Sequence, residues 1–178
     1  MGKIVIVTET ERKYLVNDFT KDSLWDREFI IYQWYDRVEK EKKTKLIIDL
    51  LRLTMKWVRV TKKRLSNTES QKTIEYLNTK KIDLKELLGE PFVCKRRFLN
   101  GKISIDHFIR SNGACDFLLE DEGDEAMLKE FVSSYNASLT DVTDDISYRN
   151  TNMTISFSEE DKKQLEFLLN ALYCQEKQ

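Results

Sequence analysis

Histidine and proline occur once each in these 178 residues, cysteine three times and glycine five times. The cysteines, Cys94, Cys115 and Cys174, are odd in number, widely spaced and without a CxxC pair, which argues against a disulfide framework and a zinc site. No histidine lies beside any of them in sequence, so they read as packing residues and not as nucleophiles. Neither a Walker A sequence nor GxGxxG is present, so a phosphate site here is not a P-loop. No apolar run is long enough to cross a bilayer, and the first residues lack the apolar core of a signal peptide. Charge of one sign is not in excess either. The 30 basic side chains are matched by 31 acidic ones, which excludes a generally basic nucleic-acid binder and makes any anion site local. These absences predict a soluble protein in a reducing, cytoplasmic setting, with no membrane partner. No repeat or linker divides the chain, and its length suits one domain over residues 1–178.

What is present is a series of short β-rich runs separated by charge. The apolar run 4–7 continues into Thr8-Glu9-Thr10-Glu11-Arg12-Lys13-Tyr14-Leu15-Val16. Alternate residues of a strand share a face, so Glu9, Glu11 and Lys13 point one way while Thr10, Arg12 and Tyr14 point the other. Such a row either lies on a solvated face or lines a water-filled interior, where paired carboxylates hold a metal and the ammonium meets an anion.

Residues 17–27 read as a short helix or loop, 28–35 as a β-branched and aromatic strand, and the charge-dense run 36–45 as a solvated turn. Residues 46–65 are apolar with basic punctuation. Their second half predicts a strand with Val58 and Val60 on one face and Arg59, Thr61 and Lys63 on the other, while 45–53 fit a helix nearly as well as a strand. A strand over 71–78 places Thr73 and Glu75 together, and 82–88 form a helical turn or two stopped by Gly89 and Pro91. Residues 92–99, Asn100-Gly101 and residues 102–109 give the strongest hairpin signal in the chain. Lys95 and Arg97 share one face of it, with Asp106 able to face them, and strand parity puts His107 on the opposite, outer side. Residues 114–122 read as a strand carrying Asp116, Leu118 and Glu120 together, and 127–135 as a helix. Residues 158–174 form a C-terminal amphipathic helix opened by a capping sequence. Trp25, Trp34 and Trp57 read as packing residues. Many strands charged on one face, with a few helices, indicate a mostly-β α+β protein. A closed barrel gathers those charges into one lumen, whereas an open sheet scatters them.

Four segments, in order, resemble one known family. Glu9-Thr10-Glu11-Arg12-Lys13 is similar to the ExExK signature that opens the CYTH domains, or triphosphate tunnel metalloenzymes. Gln33-Trp34-Tyr35 resembles the family's Q-x-Y strand, and Lys95-Arg96-Arg97-Phe98 its K-x-R-aromatic strand. Asp141-Val142-Thr143-Asp144-Asp145, followed by Tyr148-Arg149-Asn150, resembles its closing acidic Val-Thr and Y-x-N segment. Order and spacing agree over residues 3–153.

The resemblance implies an eight-stranded antiparallel closed barrel around a triphosphate tunnel, with flanking helices. By position it implies Glu9, Glu11, Glu120 and Asp141 as ligands of Mg2+ or Mn2+, hard cations that favour carboxylate oxygen. Glu9 or Glu11 also becomes the catalytic carboxylate that positions water. It implies Lys13, Arg52, Lys63, Lys95 and Arg97 as phosphate contacts, with Glu75 and Asp106 as supporting acids. The implied activity is metal-dependent hydrolysis of the terminal phosphate of an inorganic, nucleoside or organic triphosphate. Two alternatives share the tunnel: a class IV-type adenylyl or nucleotidyl cyclase, and a non-catalytic sensor of a triphosphorylated nucleotide or RNA 5′ end. The partner is then a triphosphate-containing small molecule, nucleic acid enters only through such a 5′ end, and a homodimer is compatible. Thr54, Gln71, Thr73 and Leu118 stand where the family carries charge, which implies fewer contacts, a smaller substrate, or binding without turnover.

Overall fold

The computed structural model describes residues 3–17, 25–109 and 115–175. Most of the expected helix or loop over 17–27, and the side chains of Cys115, Asp116 and Cys174, lie outside the described residues. The strands are β1 (Ile4–Thr10), β2 (Arg12–Asn17), β3 (Arg27–Tyr35), β4 (Lys42–Asp49), β5 (Thr54–Arg64), β6 (Glu69–Leu77), β7 (Phe92–Asn100), β8 (Ile103–Ile109), β9 (Cys115–Asp121) and β10 (Ser138–Asp141). Helices α1 (Leu84–Leu88), α2 (Glu125–Tyr135) and α3 (Glu159–Gln175) accompany them. All strands form one antiparallel sheet in the order β1-β6-β5-β4-β3-β7-β8-β9-β2-β10. No helix among the described residues is long and apolar enough to cross a membrane.

The sheet has ten strands where eight are expected, for two reasons. The long first run divides at Glu11, so that β1 pairs with β6 while β2 pairs with β9, and β10 adds itself beside β2. Glu11 alone separates β1 from β2, and its N–H donates to the Thr68 carbonyl at 2.8 Å.

Residues 36–45 are not one solvated turn. The Asp36 carboxylate accepts the N–H groups of Val38 and Glu39, both at 2.9 Å, which closes a short turn, and β4 begins at Lys42. Alternation then directs Leu46 and Ile48 to the apolar outer side and Lys43 and Lys45 to the other. The helix alternative for 45–53 is excluded, because β4 runs to Asp49 and a tight turn follows. There the Asp49 carboxylate accepts the N–H groups of Leu51 and Arg52 at 3.1 and 3.0 Å.

Two apolar layers cover the outer face. Trp34, Leu46, Ile48, Trp57 and Phe92 pack under Leu165, Leu169 and Leu172 of α3, with Trp34 stacked on Trp57 at 5.8 Å between ring centroids. Phe98, Ile103, Ile105 and Leu119 pack under Phe131 of α2, and Trp25 lies against Phe98, Phe131 and Tyr135. His107 is on this side too, stacked on Phe117 at 4.5 Å. The β7–β8 hairpin turns at Gly101, whose φ of 55° suits a residue without a side chain. Its register sets Arg97 opposite Asp106.

Candidate functional site

Strand parity gathers the charges on the inner face. There β7 presents Lys95 and Arg97, β8 Asp106, β9 Glu120 and β2 Lys13, while β4 to β6 add Lys43, Lys45, Lys62 and Lys72. Register places three of these pairs directly across from one another: Arg97 and Asp106, Lys13 and Glu120, Lys62 and Lys72. All of them but the fully buried Asp106 line a cavity of about 400 Å3, within the usual size for a small-molecule site. Leu118 is fully buried with Val93, Phe108, Val142 and Met153, and so belongs to an apolar layer.

The carboxylates are bound by cations. Asp106 accepts from Arg97 through Nε and Nη2, both at 2.6 Å, and also pairs with the buried Lys95. Arg97 reaches Glu120 as well. Lys13 Nζ lies 3.5 Å from both Glu11 and Glu120. Lys62 Nζ lies 3.1 Å from both Glu9 and Glu11, and Lys72 pairs with the second oxygen of Glu9. Burial and Glu120 both push the Glu11 pKa up, but Lys13, Lys62 and Lys72 outweigh them and hold it at about 2.

Lys43 and Lys45 face the same cavity without a carboxylate partner among the described residues. Burial lowers the Lys43 pKa to about 7, assisted by Lys72, Lys62 and Lys95. Burial also takes Lys45 well below the usual lysine range, with Lys43, Lys95 and Arg97 adding to the effect. Among the described residues, ten basic side chains line the cavity against four carboxylates, Glu11, Glu41, Glu120 and Asp145, with Glu9 and Asp106 paired to its cations. Holding like charges together away from water is unfavourable unless an anion completes the site. The arrangement can grip a compact polyanion.

Of the residues expected from sequence, Glu9, Glu11, Lys13, Lys95, Arg97, Asp106 and Glu120 come together. Four do not. Arg52 is exposed in the β4–β5 turn, and Lys63 is exposed on the face opposite Lys62. Glu75 pairs with Arg59 at 3.6 Å on the outer face. Asp141 is exposed and accepts the Thr143 N–H at 2.9 Å. In a strand a shift of one residue reverses the face, and this is what separates Lys63 from Lys62. Lys43, Lys45, Lys62 and Lys72 are the residues that sequence reasoning missed. Their signal is alternation: Lys43 and Lys45 bracket a threonine in a run that continues into Leu46-Ile47-Ile48, and Lys62 shares parity with Val58 and Val60. The closing segment does reach the site, because Thr143 Oγ1 accepts the Lys13 N–H at 3.0 Å and Asn150 Oδ1 accepts from Lys13 Nζ at 3.5 Å.

Carboxylate oxygen is the right donor for Mg2+ or Mn2+, yet the arrangement does not fit a metal as it stands. All six oxygens of Glu9, Glu11 and Glu120 already have a lysine or arginine partner. No three acidic, histidine or cysteine side chains among the described residues converge as a metal-holding group.

No family model matches the chain, and no curated protein matches it. Among solved structures it is similar to the inorganic triphosphatase NE1496, at 18% identity and a TM-score of 0.48, over 85% of this chain and 97% of that one. A second structure, described as the hypothetical protein NE1496, gives 17% identity and the same TM-score over 84% and 99%.

Proposed function

We propose that this chain binds a triphosphate in its cation-rich cavity and hydrolyses the terminal phosphate. The observation that carries the proposal is the pair Lys43 and Lys45, two lysines turned into a polar cavity without an ion-pair partner among the described residues, whose charged forms a bound polyanion would favour. Lys43 and Lys45 then meet phosphate oxygens as point charges, while Lys95 and Arg97, held by Asp106 and Glu120, add their charge to the cavity wall. Phosphoryl transfer needs positioning and stabilisation of charge on the transferred group, which cations fixed around a cavity supply. Glu11, held ionised by three lysines, is the carboxylate best suited to orient water. In this proposal the sheet is a closed barrel with its seam at Glu11. Support comes from the strand order, which begins with β1 and ends with β2 and β10, while one residue joins β1 to β2.

One observation favours a second reading, binding without turnover. The carboxylates that would act on water are all engaged by cations before any substrate arrives. Product analysis by ion chromatography separates the readings, with tripolyphosphate and ATP as substrates and a Glu11→Gln variant beside the native chain. The proposal expects orthophosphate from the native chain and a loss of at least about a hundredfold in the variant, the usual scale for a positioned acid–base group. Pyrophosphate with a cyclic nucleotide would mean a cyclase. Intact substrate alongside tight binding would mean a sensor.

A further inference from the structure

Three of the four carboxylates expected to hold a metal, Glu9, Glu11 and Glu120, are neutralised by the chain itself. Lys62 is central, because its Nζ stands 3.1 Å from an oxygen of Glu9 and 3.1 Å from an oxygen of Glu11, between two carboxylates as a bridging cation would be. Lys13 occupies the equivalent position between Glu11 and Glu120, at 3.5 Å from each. Mg2+ requires a nearly octahedral set of oxygens at about 2.1 Å and gives up its water reluctantly. To reach these carboxylates it must displace Lys62, whose charge already acts on Lys43, from both of its carboxylate partners.

We propose that Lys62 is a built-in counter-cation standing where a divalent ion would bridge Glu9 and Glu11, so that the cavity takes up a polyphosphate without any metal. Divalent ions then weaken uptake. A polyphosphate already complexed by Mg2+ has lost two negative charges, and it meets a wall whose positive charge is unchanged. The inference rests on the cavity being a polyphosphate site, and it assigns to that site a free polyanion as its ligand in place of a metal complex.

The test uses the full chain stripped of metal with EDTA. Tripolyphosphate is titrated calorimetrically in EDTA and again with Mg2+ in excess, and Mn2+ is titrated without phosphate while the free-ion electron paramagnetic resonance signal is followed. Tripolyphosphate is expected to bind in EDTA and to bind about tenfold more weakly with Mg2+, a difference of about 1.4 kcal/mol. The native chain is expected to leave the Mn2+ signal undiminished. Lys62→Met, in which Glu9 and Glu11 lose their shared neutralising group, is expected to deplete it. Tripolyphosphate binding that appears only with Mg2+ or Mn2+ would overturn the inference and leave the proposed function standing, as would depletion of Mn2+ by the native chain. Absence of tripolyphosphate binding in both conditions would remove the proposed function, and this inference with it. The native-chain titrations decide the matter even if the variant does not fold.

Discussion

Lys43 is where folding and binding make opposite demands on one side chain. Its pKa lies at about 7 in the folded chain, against an ordinary lysine value near ~10.4 when unfolded. Below pH 7 the folded chain bears the full cost of the buried cation. Between about 7 and 10 the unfolded chain binds more protons, so this group makes stability rise with pH. Lys43→Met is therefore expected to raise the thermal midpoint most at pH 6 and least near pH 10, by roughly 2–4 °C for each kcal/mol relieved. Calorimetric melts across that range check it, and a lower midpoint at pH 6 would contradict it. Glu11 behaves in the opposite sense: its stabilisation is present above the ordinary carboxylate value and is lost as pH falls toward about 2. At this scale the sequence was legible where parity and a recognised segment agreed, as for Glu11, Lys13, Arg97 and Asp106. Lys43 and Lys45 were hidden because a charge-dense run reads as solvated, although their alternation with Thr44 and Leu46 is that of a strand.

At the scale of elements, the hairpin through Asn100-Gly101 and the helices over 125–135 and 159–175 were legible, since turn chemistry, capping and helical period all act locally. The break at Glu11 was not, because only pairing with β6 on one side and β9 on the other divides that run. Helix α3 packs on the outer face, away from the cavity. Leu165, fully buried beneath it, is expected on truncation to alanine to lose about 2–5 kcal/mol of stability while leaving tripolyphosphate affinity unchanged in the folded fraction. Urea unfolding and calorimetry check the two halves of that statement. A folded Leu165→Ala chain with weakened binding would make α3 part of the site.

For the whole molecule, a formal charge of −1 conceals a strong separation of charge. Lys43, Lys45, Lys62, Lys72, Lys95 and Arg97 of β4 to β7 turn inward, while acidic side chains such as Glu75, Asp141 and Glu159 lie outside, so composition alone gave no sign of the cavity's surplus. The arrangement became visible only when the sheet brought together residues more than a hundred positions apart, as with Lys13 and Glu120. The central claim is that this surplus, with Lys43 and Lys45 at its centre, exists to hold a polyphosphate. The most direct measurement is the calorimetric affinity for tripolyphosphate of the native chain and of a Lys43→Met/Lys45→Met variant, at pH 6.5 and low salt. Each lost charge-assisted bond removes about 1.5–3 kcal/mol, so the variant is expected to remain folded and to bind at least about a hundredfold more weakly. A folded variant that binds as tightly as the native chain would contradict the account.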